Sequence, residues 1–196
     1  MLPPLDQLIS TILSQNTNDI NRDRAFNSLR THFPTWESVR DGDVQEVINA
    51  IRSAGLANQK GPRIQKVLRE ITEQRGKLEL DFLYDLPVLK TRDWLMGFKG
   101  VGPKTAAIVI QFSLGKPAFP VDTHIYRVTR RLGLIPANMS VEQSHQHLEF
   151  LFTPETYYAL HLNLIHLGRE ICHPRNPECP VCPLKEFCEY YQRTSA

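Results

Sequence analysis

The chain has 196 residues, with 23 lysines and arginines against 21 aspartates and glutamates, a formal charge of +2. That length can bury a substantial core as one domain or as two small packed lobes, and so small a net charge does not by itself mark a nucleic-acid binder, so such a role must rest on local clusters. The sequence opens without a basic-then-apolar leader and holds no apolar run long enough to cross a bilayer, so an intracellular protein is expected.

Taken in chain order, apolar residues recur at helical spacing almost throughout. Leu5, Leu8, Ile9, Ile12 and Leu13 form a first stripe, Val44, Val47, Ile48 and Ile51 a second, and Ile64, Val67, Leu68 and Ile71 a third. Asp43 with Glu46 resembles a capping box, as does Ser140 with Gln143. Gly55, Gly76, Gly115 and Gly133 each follow an apolar stripe where a helix would end. No sustained two-residue alternation occurs, so the expected fold class is all-α, with roughly nine or ten short helices. The prolines of GKPAFP (115–120) mark a crossover between two lobes.

KGVGPKTAAIVI (99–110) is the first segment whose chemistry outruns its structural needs. Gly100 and Gly102 allow a tight turn, and Pro103 suits the first position of a helix, where no amide donor is needed. With TRDWLMGF (91–98) read as a short helix capped by Thr91, the segment forms a helix-hairpin-helix. The backbone amides of such a turn can hold a DNA phosphate without reading sequence, although an ordinary helix corner uses the same glycines. Lys104 sits in the first helical turn, where the macrodipole disfavours a cation. It can serve as a phosphate contact, a solvated surface lysine or a nucleophile, and the last requires a neutral amine in an enclosed pocket.

Beyond the crossover, Asp122 directly precedes a helix carrying Ile125, Val128 and Leu132. An N-cap is its plain reading, and a cap would also hold the carboxylate rigidly enough to stabilise a positively charged sugar or assist a proton transfer. Arg127, Arg130 and Arg131 are expected to face solvent or DNA phosphates. The four cysteines, Cys172, Cys179, Cys182 and Cys188, all fall in CHPRNPECPVCPLKEFC. In a reducing compartment such a group suits metal better than disulfides, and spacing leaves both a four-thiolate iron–sulfur cube and structural zinc open.

GVGPKTA, VDTHIYRV and the cysteine spacing, in that order, are similar to the endonuclease III branch of the helix-hairpin-helix DNA glycosylases, a resemblance that spans nearly the whole chain. The resemblance implies two helical lobes with a DNA-binding cleft: a six-helix barrel domain at 6–116 containing the hairpin (about 91–114), and a cluster domain made of 1–5 and 117–196. It implies that Lys104 attacks C1′ of a damaged nucleotide, releases the base, forms an imine with the sugar and cleaves the strand by β-elimination. Asp122 is then the essential carboxylate, and the four cysteines hold a [4Fe-4S] cluster. Base-only relatives such as the adenine glycosylase branch lack the lysine.

The family also flips its target base and fills the gap with a polar side chain, which LSQNTND (13–19) would supply through Gln15 or Asn16. Other expected DNA contacts are Lys99, Gly100, Val101, Gly102, His124 and Arg175. Lys99 stands where close relatives often have proline, and the extra cation should strengthen phosphate binding. The expected partner is double-stranded DNA carrying damaged bases or abasic sites, bound by a monomer. Removal of oxidised pyrimidines with strand nicking is the leading expectation. A mismatch-directed thymine or uracil glycosylase and a non-catalytic iron–sulfur DNA-binding protein are the alternatives.

Overall fold

The structure, a computed structural model, describes residues 1–194. It is all helical among those residues, with eleven α-helices and five short 3-10 turns, one or two helices more than the stripes alone suggest. The chain divides into two compact units, Met1–Lys116 and a second that starts at Pro117. Residues 1–5 fall in the first unit, which differs from the grouping expected from the sequence; the Ser113 hydroxyl donates to Leu2 O within that unit at 2.5 Å.

The first unit begins with α1 (Pro4–Leu13), α2 (Asp19–His32), α3 (Trp36–Asp41) and α4 (Val44–Ala50). It continues with α5 (Ala57–Arg75), α6 (Val88–Met96) and α7 (Pro103–Phe112). The apolar stripe of α1 is wholly buried and packs on α7 and on α5, both of which bury their own apolar residues, among them Ala106 and Ala107 of α7 and Ile64 and Leu68 of α5. Gly61 lets α5 meet α4 closely, since a Cβ there would lie 2.8 Å from Ile48 Cγ1. Asp43 caps α4 by accepting from the amides of Gln45 and Glu46.

Two boundaries differ from the sequence reading. A reciprocal capping box opens α3 through Thr35 and Ser38, a pair that escapes a search for Glu or Gln at the third position. Thr91 is not a cap: α6 starts earlier, after Pro87, and the buried Thr91 hydroxyl donates back to Pro87 O at 3.1 Å inside the helix.

The second unit contains α8 (Thr123–Leu132), α9 (Val141–Leu151), α10 (Tyr157–Glu170) and α11 (Glu189–Thr194). Its core gathers Phe119, Val121, Ile125, Val128, Leu148, Tyr157 and Leu164, with the rings of Phe119 and Tyr157 5.6 Å apart and edge-on. Ser140 and Gln143 form the expected capping box at the start of α9, and Gly133 ends α8 with φ +84°.

Candidate functional site

In the first unit, the turn after α6 runs from buried Phe98 through exposed Lys99 and Gly100 to Val101, whose amide donates to Phe98 O at 3.0 Å. Gly100 has φ +90°, a conformation that favours glycine, and a Cβ there would come within 2.6 Å of the Arg63 side chain, which would have to move aside. Gly102 has neither constraint, with φ −96° and nothing within 4 Å of its Cβ position. Val101 is 4% exposed, so its side chain anchors the turn and is closed to a ligand.

Helix α7 then begins at Pro103 with no side-chain cap. The first amides of an uncapped helix lack intrahelical acceptors and attract anions. Lys104 lies exposed in this first turn.

The turn after α1 separates the two candidate gap-filling residues. Gln15 is turned inward: its Nε2 donates to Gly100 O at 3.1 Å and its Oε1 accepts from Arg63 Nη1 at 3.0 Å. Asn16 is exposed and holds a left-handed backbone, φ +54°. A second exposed residue in that conformation, Leu56 (φ +49°, 47% exposed), opens α5 without a side-chain cap. Asparagine enters the left-handed region at little cost, as exposed Asn176 (φ +47°) on the cysteine loop also does, whereas leucine there is strained, and such strain collects at functional sites. The sequence reading did not single out Leu56; its only signal is a large apolar residue directly after Gly55, where a polar cap would be ordinary.

Lys60 was also not foreseen. It is 1% exposed, and its ammonium donates to Leu13 O at 2.7 Å and to Ala54 O at 2.8 Å. Burial, and secondly the charge of Arg63, push it down to about 8.

In the second unit, Asp122 caps α8, its Oδ1 accepting from Ile125 N at 2.8 Å. The carboxylate is half-buried and fixed by that bond. His124 is half-buried as well, its Nδ1 3.2 Å from Arg127 Nη2.

The arginines of α8 correct the sequence reading. Arg127 donates to Cys172 O at 2.8 Å and to Gly168 O at 2.7 Å. Arg131 donates to His173 O at 2.7 Å, Pro174 O at 3.0 Å and Cys172 Sγ at 3.2 Å, and it lies 4.6 Å from the centre of the Tyr190 ring. These two side chains, one helical turn apart, tie α8 to the cysteine segment rather than facing solvent. Only Arg130 is exposed.

All four cysteines line one small cavity with Ile171, Pro177 and Tyr190. Burial pushes the Cys179 thiol up, the three other cysteines add to the shift, and Arg131 opposes them, so the four sulfurs share one field. Among the described residues, no three His, Cys, Asp or Glu side chains group to hold a single ion. Arg175 is exposed on the loop between Cys172 and Cys179. No described helix is long and apolar enough to cross a membrane.

A family model described as HhH-GPD superfamily base excision DNA repair protein matches residues 9–154, and one described as the iron-sulfur binding domain of endonuclease III matches residues 172–188. The chain belongs to the HhH-GPD superfamily of base excision DNA repair proteins. Within it, the chain is a DNA glycosylase of the endonuclease III type with a C-terminal iron–sulfur segment.

An Arabidopsis thaliana protein named as a DNA glycosylase is 38% identical over 193 residues, spanning 93% of this chain and 66% of the relative. Endonuclease III of Thermotoga maritima is 33% identical, over 97% of this chain and 84% of the relative. Among solved structures, a trapped endonuclease III–DNA covalent intermediate superposes with TM-score 0.84 at 31% identity, covering 100% of this chain and 88% of that one.

Proposed function

We propose that the protein is a bifunctional glycosylase and abasic-site lyase that removes oxidised pyrimidines and nicks the strand through Lys104. The observation that carries the reading is the position of Lys104, a primary amine in the first turn of α7 directly behind the Gly100–Gly102 hairpin. The amine is exposed in the DNA-free protein, not enclosed as the sequence reading required, so bound DNA has to close the pocket around it. A binding module needs the hairpin but no amine at that position. The neutral amine attacks C1′, the C1′–N bond to the base breaks, and the base leaves with a proton. The sugar ring opens to an imine, loss of a C2′ proton follows, and the C3′–O bond breaks to release the strand. Asp122 contributes a fixed carboxylate against the positive charge that develops on the sugar. The trapped endonuclease III–DNA covalent intermediate among the structural neighbours supports this reading.

Base release requires extrusion of the nucleotide from the stack, and the space it leaves must be filled. Asn16 is the residue free to enter it, since Gln15 is committed to Gly100 and Arg63. Leu56, exposed in the turn that opens α5, offers an apolar wedge in addition. The hairpin amides with Lys99, and Arg175 on the cysteine loop, bind phosphates. Cys172, Cys179, Cys182 and Cys188 hold a [4Fe-4S] cluster: four thiolates lining one cavity suit a cube in which each sulfur binds its own iron, and the match of residues 172–188 to the iron-sulfur binding domain of endonuclease III supports it. When bound, the cluster supplies the four iron–thiolate bonds that order the loop.

Duplexes carrying thymine glycol or a plain abasic site, incubated with the protein and quenched with borohydride, test the reading. Covalent adducts and cleavage on both are expected, and both should vanish in Lys104→Ala. Activity on the abasic site alone would keep the lyase step and move the base preference to mismatched bases. A Lys104→Ala protein that still traps and nicks would overturn the mechanism.

A further inference from the structure

Lys60 is a fully enclosed lysine with no part in the chemistry above, and what it binds is specific. Its ammonium reaches the carbonyl of Leu13, the last residue of α1, and the carbonyl of Ala54, the last residue of the 3-10 turn Arg52–Ala54. Each carbonyl lies just ahead of an exposed left-handed residue: Asn16 follows Leu13 by three positions and Leu56 follows Ala54 by two. One helical turn along α5, Arg63 binds Gln15 and packs on Gly100, so the same face of α5 also steadies the hairpin. Exposed turns with left-handed backbones hold one conformation only when their surroundings over-determine it. One ammonium with donors fixed on both carbonyls can do so, because backbone carbonyls at helix ends otherwise turn to water.

We infer that Lys60 is a positioning residue that binds the Asn16 turn and the Leu56 turn together, so that a polar filler and an apolar wedge enter the gap of an extruded nucleotide as one rigid pair. The inference rests on the gap-filling reading of those two residues. Its consequence is selective. A duplex must be opened and filled before Lys104 meets C1′, whereas a single-stranded abasic oligonucleotide has no stack to fill. Lys60 therefore matters for the first substrate and not for the second.

The experiment compares imine trapping rates on duplex and single-stranded abasic DNA for the wild type and Lys60→Met, which keeps the length of the side chain and removes every donor. Circular dichroism establishes that the variant is folded at the assay temperature. The duplex rate is expected to fall about tenfold or more, as misplacement of positioning groups does, while the single-strand rate stays within about twofold of wild type. The ratio of the two rates cancels any loss of folded protein. Rates that stay unchanged, or fall in equal proportion, would overturn the inference. Lys60→Gln, which keeps an amide donor for one carbonyl, serves if Lys60→Met does not fold, and the same ratio decides. Failure of the wild type to trap on either substrate would instead sink the lyase reading itself.

Discussion

Enclosing an ammonium is unfavourable unless hydrogen bonds accompany it, and Lys60 has two carbonyl acceptors and one cationic neighbour, Arg63. The balance leaves its proton held less tightly in the folded protein, at about 8 against 10.5. Between these values the unfolded chain binds more protons than the folded one, so stability rises with pH across that window and is flat with respect to Lys60 below it. Relative to Lys60→Met, the wild type should gain up to about 3 kcal/mol between neutral pH and the top of the window. Urea unfolding of both proteins at the two ends measures this, and parallel midpoints would contradict it. Arg131 presents the opposite case: its donors serve two loop carbonyls and the Cys172 sulfur. Arg131→Ala should weaken the loop by roughly 1–2 kcal/mol. Faster loss of iron to a chelator, with the helical circular dichroism intact, is the expected reading; wild-type iron retention would count against a bracing role.

Among the elements, the hairpin assigns different duties to its two glycines. Gly100→Ala must adopt φ +90° and displace Arg63, so a loss of about 1–3 kcal/mol is expected. Gly102→Ala meets open space with an extended backbone, so stability should change by no more than about 0.5 kcal/mol. If the hairpin amides bind a phosphate as proposed, a Cβ on Gly102 crowds its approach, and weaker duplex binding is expected from an equally stable protein. Thermal melts alongside binding isotherms separate the two; destabilisation by Gly102→Ala would show that the second glycine serves the fold. Helix existence was legible because apolar spacing records burial, as in α1 and α5. Helix starts were less so: Thr91 has the chemistry of a cap, but Pro87 and the turn before it open α6 earlier.

Across the whole molecule, residue types that announce chemistry were legible and residue types that brace were not. Lys104 behind its glycines, Asp122 before α8 and the four cysteines stand out because each is costly or unusual where it sits. The cluster RVTRR looks like a basic patch, yet Arg127 and Arg131 lie four residues apart on one face of α8 and are directed at loop carbonyls. A lysine in a polar run such as ANQKGPRIQK gives no sign that it will be enclosed, since the carbonyls it binds belong to residues 13 and 54.

The same distinction bears on how the protein meets DNA. With Arg127 and Arg131 committed internally, the RVTRR cluster presents Arg130 alone, and 23 basic side chains offset by 21 acidic ones give no net excess for a broad basic face. Lys99, Arg175 and the hairpin amides are the expected phosphate contacts. Neutralising two or three phosphates gives a slope of about −2 to −3 in log affinity against log salt, because each contact releases close to one counterion. Lys99→Ala should reduce that slope by about one while lowering affinity alike on damaged and undamaged duplexes. Fluorescence anisotropy across a salt series on both duplexes measures it. A slope several times steeper would mean that a broad basic face, rather than a hairpin and one loop, holds the DNA.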